Sequence, residues 1–107
     1  MKIKKIYISD IRRDSEGLPL HDEIVERAMG LLADGWWDLE KVPPIKGVFY
    51  EDGVHPISRF MITDGRHRRA AAAALGYEKV PVVDEATMSR ADQNLYQAAM
   101  KQYRALI

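Results

Sequence analysis

"ITDGRHRRAAAAALG", residues Ile62 to Gly76, decides how the rest of the chain is read. An aspartate-glycine pair, Asp64-Gly65, precedes Arg66, His67, Arg68 and Arg69, and five alanines, Ala70 to Ala74, follow without a break. Alanine has the highest helix propensity, so the spacing predicts a helix from Gly65 to about Gly76. Asp64 suits the N-cap of that helix, and Gly65 allows the chain to turn sharply into it. The orphan N–H groups of the first turn and the helix dipole favour an anion there. Cationic side chains on the same turn oppose the dipole, each at roughly 0.3–1 kcal/mol when solvated and unpaired. The arrangement is therefore locally unfavourable unless negative charge arrives. Asp64 supplies one charge, and a bound phosphate, matched bidentately by guanidinium groups, would supply more. The run of small side chains predicts that the helix lies close to a sheet, with Ala72 or Ala73 buried against it.

A second explanation of the basic turn stays open. Charge along the chain is segregated. Met1 to Arg13 carries Lys2, Lys4, Lys5, Arg12 and Arg13 against Asp10, whereas residues 14 to 40 carry eight acids and Arg27 alone. The arginines of a surface helix would find partners in that acidic segment. No full P-loop pattern decides between the two.

Outward from this stretch, residues 2 to 8 alternate as a strand, with Ile3, Ile6 and Ile8 among lysines and a tyrosine. Gly17 and Pro19 punctuate a loop. From Leu20 to Asp34 the apolar residues fall at helical spacing, with Asp22 and Glu23 at the positive end and Gly35 beyond the other. Pro43 and Pro44 forbid helix and central strand. "IKGVFY" and "PISRFMIT" flank the Asp52-Gly53 turn signal as a β-hairpin. "EKVPVVD" is a short strand, placed by Pro81 at a sheet edge or entering the sheet at the proline. A last helix runs from Thr87, a candidate N-cap, through residues 87–107, with a stripe of Leu95, Ala99, Tyr103 and Leu106 that Tyr96, Met100 and Ile107 widen. The order β, α, β, β, α, β, α predicts an α+β fold, a mixed sheet with helices packed on it.

The 107 residues, 47% of them apolar, build one modest core, so 1–107 is read as a single domain. The absence of cysteine excludes disulfides, thiolate metal sites and a cysteine nucleophile. No apolar run reaches the ~18 residues of a membrane span, and the N-terminus lacks the apolar block of a signal peptide. A cytoplasmic protein is expected. Sixteen basic and sixteen acidic residues cancel, which makes a poor nonspecific DNA binder while leaving room for a local anion site.

The motif, taken with its flanks, resembles the ParB/sulfiredoxin superfamily over roughly residues 3 to 84. Gly65, Arg66, His67, Arg68, Arg69, Ala70, Ala71 match sulfiredoxin's Gly-Cys-His-Arg-x-Ala-Ala at every position except the cysteine. Against ParB's Gly-Glu-Arg-Arg-x-Arg-Ala, Gly65, Arg68 and Ala71 agree. The Asp-Gly-x-His-Arg form of ParB-like nuclease-type domains fits best. Val42 to Ile45 is similar to the Pro-Ile segment of both branches, and "GYEKVPVV" to the family's Leu-Gly-x-x-x-Val-Pro ending. The resemblance implies a ParB/sulfiredoxin-like fold and a phosphate- or nucleotide-binding site over Thr63, Asp64, Gly65, Arg66, His67, Arg68 and Arg69. The ligand it implies is a nucleoside triphosphate, ATP or CTP, with Mg²⁺ brought by the nucleotide. Sulfiredoxin chemistry needs the motif cysteine, where this chain has Arg66. In 107 residues no room is expected for ParB's separate DNA-binding helix-turn-helix domain. ParB's Glu-Asn-Leu-Gln segment has a faint echo in "DQNLYQ", Asp92 to Gln97, though a terminal helix with its polar residues facing out is the better reading of it.

Two functions follow. One is a stand-alone domain that binds a nucleotide or other phosphate group, with NTPase activity or DNase action on DNA as its chemistry. The other is a non-catalytic protein- or DNA-interaction module that keeps the fold and uses its last helix for a partner, a homodimer being the commonest solution. On the first reading, Arg68→Ala abolishes phosphate binding with little loss of stability. Arg12 and Arg13 are phosphate-facing or solvated. Trp36 and Trp37 stack on a base or bury in the core. His21 and His55 receive no role, and Glu51 and Asp52 are read as solubility charges.

Overall fold

Strand β4 (Arg59–Asp64) alternates Phe60 and Ile62 into the core with Arg59 and Met61 less buried. It pairs antiparallel with β3 (Ile45–Tyr50), the expected hairpin, and Asp52 Oδ1 accepts the Val54 amide in the turn between them. In this computed structural model the described residues are 1–12, 19–33, 37, 41–54 and 58–107; Gly17, Gly35, Trp36 and His55 lie outside them. The β3–β4 register shifts between Lys46 and Gly47. A Cβ at Gly47 would strike the Met61 carbonyl oxygen and lie 2.6 Å from the Phe60 ring, so glycine is what lets the two strands and that ring close up. Phe60 in turn meets Phe49 edge-on at 4.8 Å.

Three further strands complete a mixed sheet in the order β1-β5-β3-β4-β2. β1 (Ile3–Tyr7) runs antiparallel to β5 (Lys79–Asp84), and β5 runs parallel to β3. β2 (Ile11–Arg12) follows a 3₁₀ turn at Ile8–Asp10 and pairs parallel with β4. β5 is thus not an edge strand. Its pairing with β3 begins only at Val82, one residue past Pro81, so the strand enters the parallel ladder at the proline. Val80, Val82 and Val83 are buried, as expected of a strand flanked on both sides.

The helices are α1 (Asp22–Leu32), α2 (Arg66–Ala74) and α3 (Arg90–Leu106). α1 brings Ala28 and Leu32 to the core, and α2 brings Ala71 and Ala72. The alanine-rich helix packs chiefly on α1, with a smaller contact to β3, rather than lying flat on the sheet. Ala28, Ala71 and Ala72 permit that close approach. Ala72→Leu is expected to lower the unfolding free energy by roughly 1–3 kcal/mol through overpacking, whereas Ala73→Leu, on the exposed side, leaves it unchanged; urea denaturation of the two variants checks the contrast.

α3 starts later than its sequence predicts. Thr87 belongs to a 3₁₀ turn, Glu85–Thr87, and the N-cap is Ser89. The Ser89 hydroxyl accepts the Asp92 amide and Asp92 accepts the Ser89 amide, a full capping box. That backbone hydrogen bond, with the N-terminal ammonium 3.3 Å away, holds the Asp92 carboxyl below its ordinary range. The buried face of α3 is Tyr96, Ala99, Met100 and Tyr103, while Leu95 and Leu106 remain about half exposed.

Candidate functional site

The turn from β4 into α2 is built on Gly65, whose φ of 130° and ψ of 17° suit no L side chain well. Gly65 is the N-cap, and no side chain caps the helix. Asp64 therefore does not play the capping part expected of it. It ends β4, and its carboxylate lies 3.5 Å from Arg68 Nη2 and 3.9 Å from Arg104 Nη2. The first helical bond of α2 runs from the Arg69 amide to the Gly65 carbonyl at 2.9 Å. The amides before it are the orphan donors of the helix start.

A cavity of about 520 Å³ opens at this point. One wall is Thr63, Asp64, Gly65, Arg66, His67 and Arg68. Ile24 of α1 also lines it, with Met100, Tyr103 and Arg104 of α3 and Ile107 just beyond that helix. The cavity has the size of a small-ligand site. Among the described residues, the buried Arg66 Nη1 has no hydrogen-bond partner, and neither has the buried Tyr103 hydroxyl. Burial pushes the Tyr103 hydroxyl pKa up, Arg68 opposes that shift and Asp64 adds to it.

Arg68 stands differently from its neighbours. Its side chain is only 2% exposed, and Nη1 donates to the Pro43 and Pro44 carbonyls at 2.7 Å each. Nη2 donates to the Tyr96 hydroxyl at 3.1 Å, and the guanidinium sits 5.5 Å from the centre of the Tyr103 ring. The Tyr96 hydroxyl donates to Pro44 O at 2.8 Å, and burial raises its pKa. The diproline segment before β3 is fully buried and carries carbonyls without amide donors of its own, so buried side chains satisfy it. Arg68 borders the cavity but spends its donors on the fold. The expectation that it serves the ligand at little expense to stability does not match this geometry.

His67 Nε2 accepts the His21 amide at 3.1 Å, and the two imidazoles stack at 5.8 Å. Burial, then the charge of Arg66 and the proximity of His21, hold His67 below its ordinary pKa of 6.5. The unfolded chain therefore takes up this proton before the folded one. Stability is expected to be full above about pH 6.5 and to fall as pH drops from there toward the lowered folded value. Urea midpoints between pH 7.5 and 5 check this, and His67→Gln, which keeps an acceptor for the His21 amide, is expected to flatten the slope.

Of the residues singled out in the sequence, Thr63 to Arg68 meet at the cavity and Arg69 does not. Arg69 lines a separate hollow with Ile8, Ser9, Ile11 and Arg59. The Thr63 hydroxyl is 2.7 Å from Glu85 Oε2. Arg12 is on edge strand β2, away from the cavity, and Arg13 lies outside the described residues. Trp37 is structural: its indole N–H donates to Pro43 O at 3.0 Å, and its ring meets Tyr77 edge-on. Missed from sequence are His21, Tyr103 and Arg104. Only the i, i+3 and i+4 spacing of Met100, Tyr103, Arg104 and Ile107 carries a trace of their shared face. Among the described residues no three His, Asp or Glu side chains converge as a metal site, and no helix is long and apolar enough to cross a membrane.

No protein-family model matches the sequence, and no curated protein matches it significantly. Among solved structures, the chain is similar to the C-terminally truncated chromosome-partitioning protein ParB from Caulobacter crescentus, complexed with CTP-γ-S. The TM-score is 0.57 at 16% identity, over 94% of this chain and 51% of the ParB chain. The chain thus spans about half the length of that ParB chain. The likeness is one of fold: a ParB-like α+β domain with, among the described residues, a five-stranded mixed sheet and three α-helices.

Proposed function

We propose that this chain binds a nucleotide, through its phosphate groups, at the start of α2. The observation that carries the reading is the cavity itself, which an uncapped helix N-terminus lines together with Arg66 and Arg104, and where the buried Arg66 Nη1 has no partner among the described residues. Orphan amides and guanidinium groups present donors only, which fits a phosphate oxyanion. The ParB chain of like fold holds a CTP analogue, which supports CTP as the first candidate; ATP is the other nucleotide that the motif's resemblance implies. Mg²⁺ would arrive with the nucleotide, and Asp64 is the carboxylate beside it. Hydrolysis of the nucleotide, or action on the phosphates of DNA, belongs to the same proposal.

Thermal shift with CTP, ATP, GTP, inorganic phosphate and short DNA, each with and without Mg²⁺, tests the reading. A nucleotide at a hundred times its Kd is expected to add about 2.7 kcal/mol of stability. A melting temperature that no nucleotide or phosphate moves at millimolar concentration contradicts it.

A second reading has its own observation. Leu95 and Leu106, 50% and 53% exposed, leave α3 with apolar surface that its own domain does not cover. A non-catalytic module or homodimer built on that helix would use it. Light scattering over a concentration series, with Leu106→Glu as the comparison, decides whether the chain self-associates.

A further inference from the structure

Resting on the phosphate site proposed above, we infer that the Tyr103 hydroxyl is a ligand-binding donor, held buried and unpaired for an oxygen of a bound phosphate ester. Tyr103 is 3% exposed, and its hydroxyl has no hydrogen-bond partner among the described residues. A buried hydroxyl left in that state is destabilising. Phenylalanine would fill the same space without that penalty, so the ring's packing does not account for the oxygen. The ring is already used: its centre lies 5.5 Å from the Arg68 guanidinium carbon.

The surroundings define what the hydroxyl awaits. Tyr103 lines the cavity together with Arg66, whose Nη1 is likewise buried and unpartnered, and with Arg104, its neighbour on α3. The carboxylate of Asp64 lies between two guanidinium groups, those of Arg68 and Arg104. Among the described residues no side chain caps the amides at the start of α2, and Arg66 Nη1 and the phenolic O–H have no partner, so donors are what remains. A ligand made of acceptors satisfies all of them, and a phosphate group is such a ligand. The raised pKa keeps the phenol protonated, hence a donor, throughout the neutral range. At about 520 Å³ the cavity exceeds what inorganic phosphate fills, so a phosphate with an organic body attached fits it better. By this inference α3 does more than complete the core. It contributes the wall of the site opposite the α2 start.

Tyr103→Phe tests this, with inorganic phosphate and CTP plus Mg²⁺ as probes in calorimetric titrations. The ligand-free variant is expected to melt at or above the wild-type temperature, while its affinity for both probes falls roughly tenfold or more, as for loss of a hydrogen bond to a charged group. In the wild type, the Tyr103 ring resonances are expected to shift on titration with phosphate, a readout that holds even if the variant folds poorly. Wild-type affinity in Tyr103→Phe, or resonances that do not move while phosphate binds, overturns the inference and leaves the proposed site standing. A lower melting temperature of the ligand-free variant with unchanged affinity assigns the hydroxyl to the fold and also overturns it. If the wild type binds neither probe, the proposed site and this inference fall together.

Discussion

Arg68→Ala is expected to lower the unfolding free energy by about 3–5 kcal/mol, a large share of what a domain of this size has. Two effects add. The side chain is among the largest fully buried ones, so its removal leaves a cavity. Its loss also strips two short charge-assisted hydrogen bonds from the Pro43 and Pro44 carbonyls. Those carbonyls are not orphaned altogether, since Trp37 Nε1 still donates to Pro43 O and the Tyr96 hydroxyl to Pro44 O. Among the described residues Asp64 then keeps Arg104 as its ion-pair partner, at 3.9 Å and largely exposed. Arg68→Met, which retains most of the stem volume, is expected to recover part of the loss, and the remainder measures the hydrogen bonds. Chemical denaturation of the three proteins checks the order wild type, Met, Ala. A loss below about 1 kcal/mol in the alanine variant would show that Arg68 does not hold the diproline segment. Arg68 is, for the same reason, a poor probe of ligand binding, because its removal confounds affinity with folding. Arg66→Ala and Arg104→Ala interrogate the cavity without that confusion.

The contrast between Arg68 and its neighbours shows what the sequence reveals and what it hides. The alternation of Ile3 to Ile8, the hairpin around Asp52 and the helix of Ala70 to Ala74 were legible because each rests on periodicity or turn chemistry within a few residues. The motif Thr63 to Arg69 was legible as a basic helix start. Its internal division of labour was not. Whether an arginine faces a ligand or the core depends on partners 24 to 28 residues away, the Pro43 and Pro44 carbonyls and the Tyr96 hydroxyl. Local charge pattern treats all three arginines alike. Strand β2 has two residues, too few for any period. Pro81 points to an edge because proline forfeits a ladder donor, yet the pairing of β5 with β3 starts just beyond it. The far wall of the cavity, Tyr103 and Arg104, looked like helix surface and stripe. Only the packing of α3 across the β4–α2 turn turns it toward the site.

Gly65→Ala is expected to damage both the fold and the site. At φ 130° and ψ 17° the backbone lies outside every region that an L-residue occupies comfortably, a strain on the order of 1–3 kcal/mol. The new methyl would also lie 3.1 Å from Arg68 Nη2 and from both γ carbons of Ile45. Ile45 and Arg68 are fully buried side chains with little freedom to yield. The combined loss is expected at about 2–4 kcal/mol. Relief comes only by rotating the turn, which re-aims the first amides of α2 and moves Arg66. Affinity for inorganic phosphate is therefore expected to drop at least tenfold, beyond any loss through unfolding, at temperatures where the variant is still folded. Asparagine, which rescues many glycine turns near φ +57°, is expected to give no rescue here, since φ is some 70° away from that well. Denaturation and phosphate titration of Gly65→Ala and Gly65→Asn side by side provide the check. An asparagine variant as stable as wild type would mean that the turn relaxes into an ordinary left-handed conformation, and that the 130° geometry is not what aims the helix at its ligand.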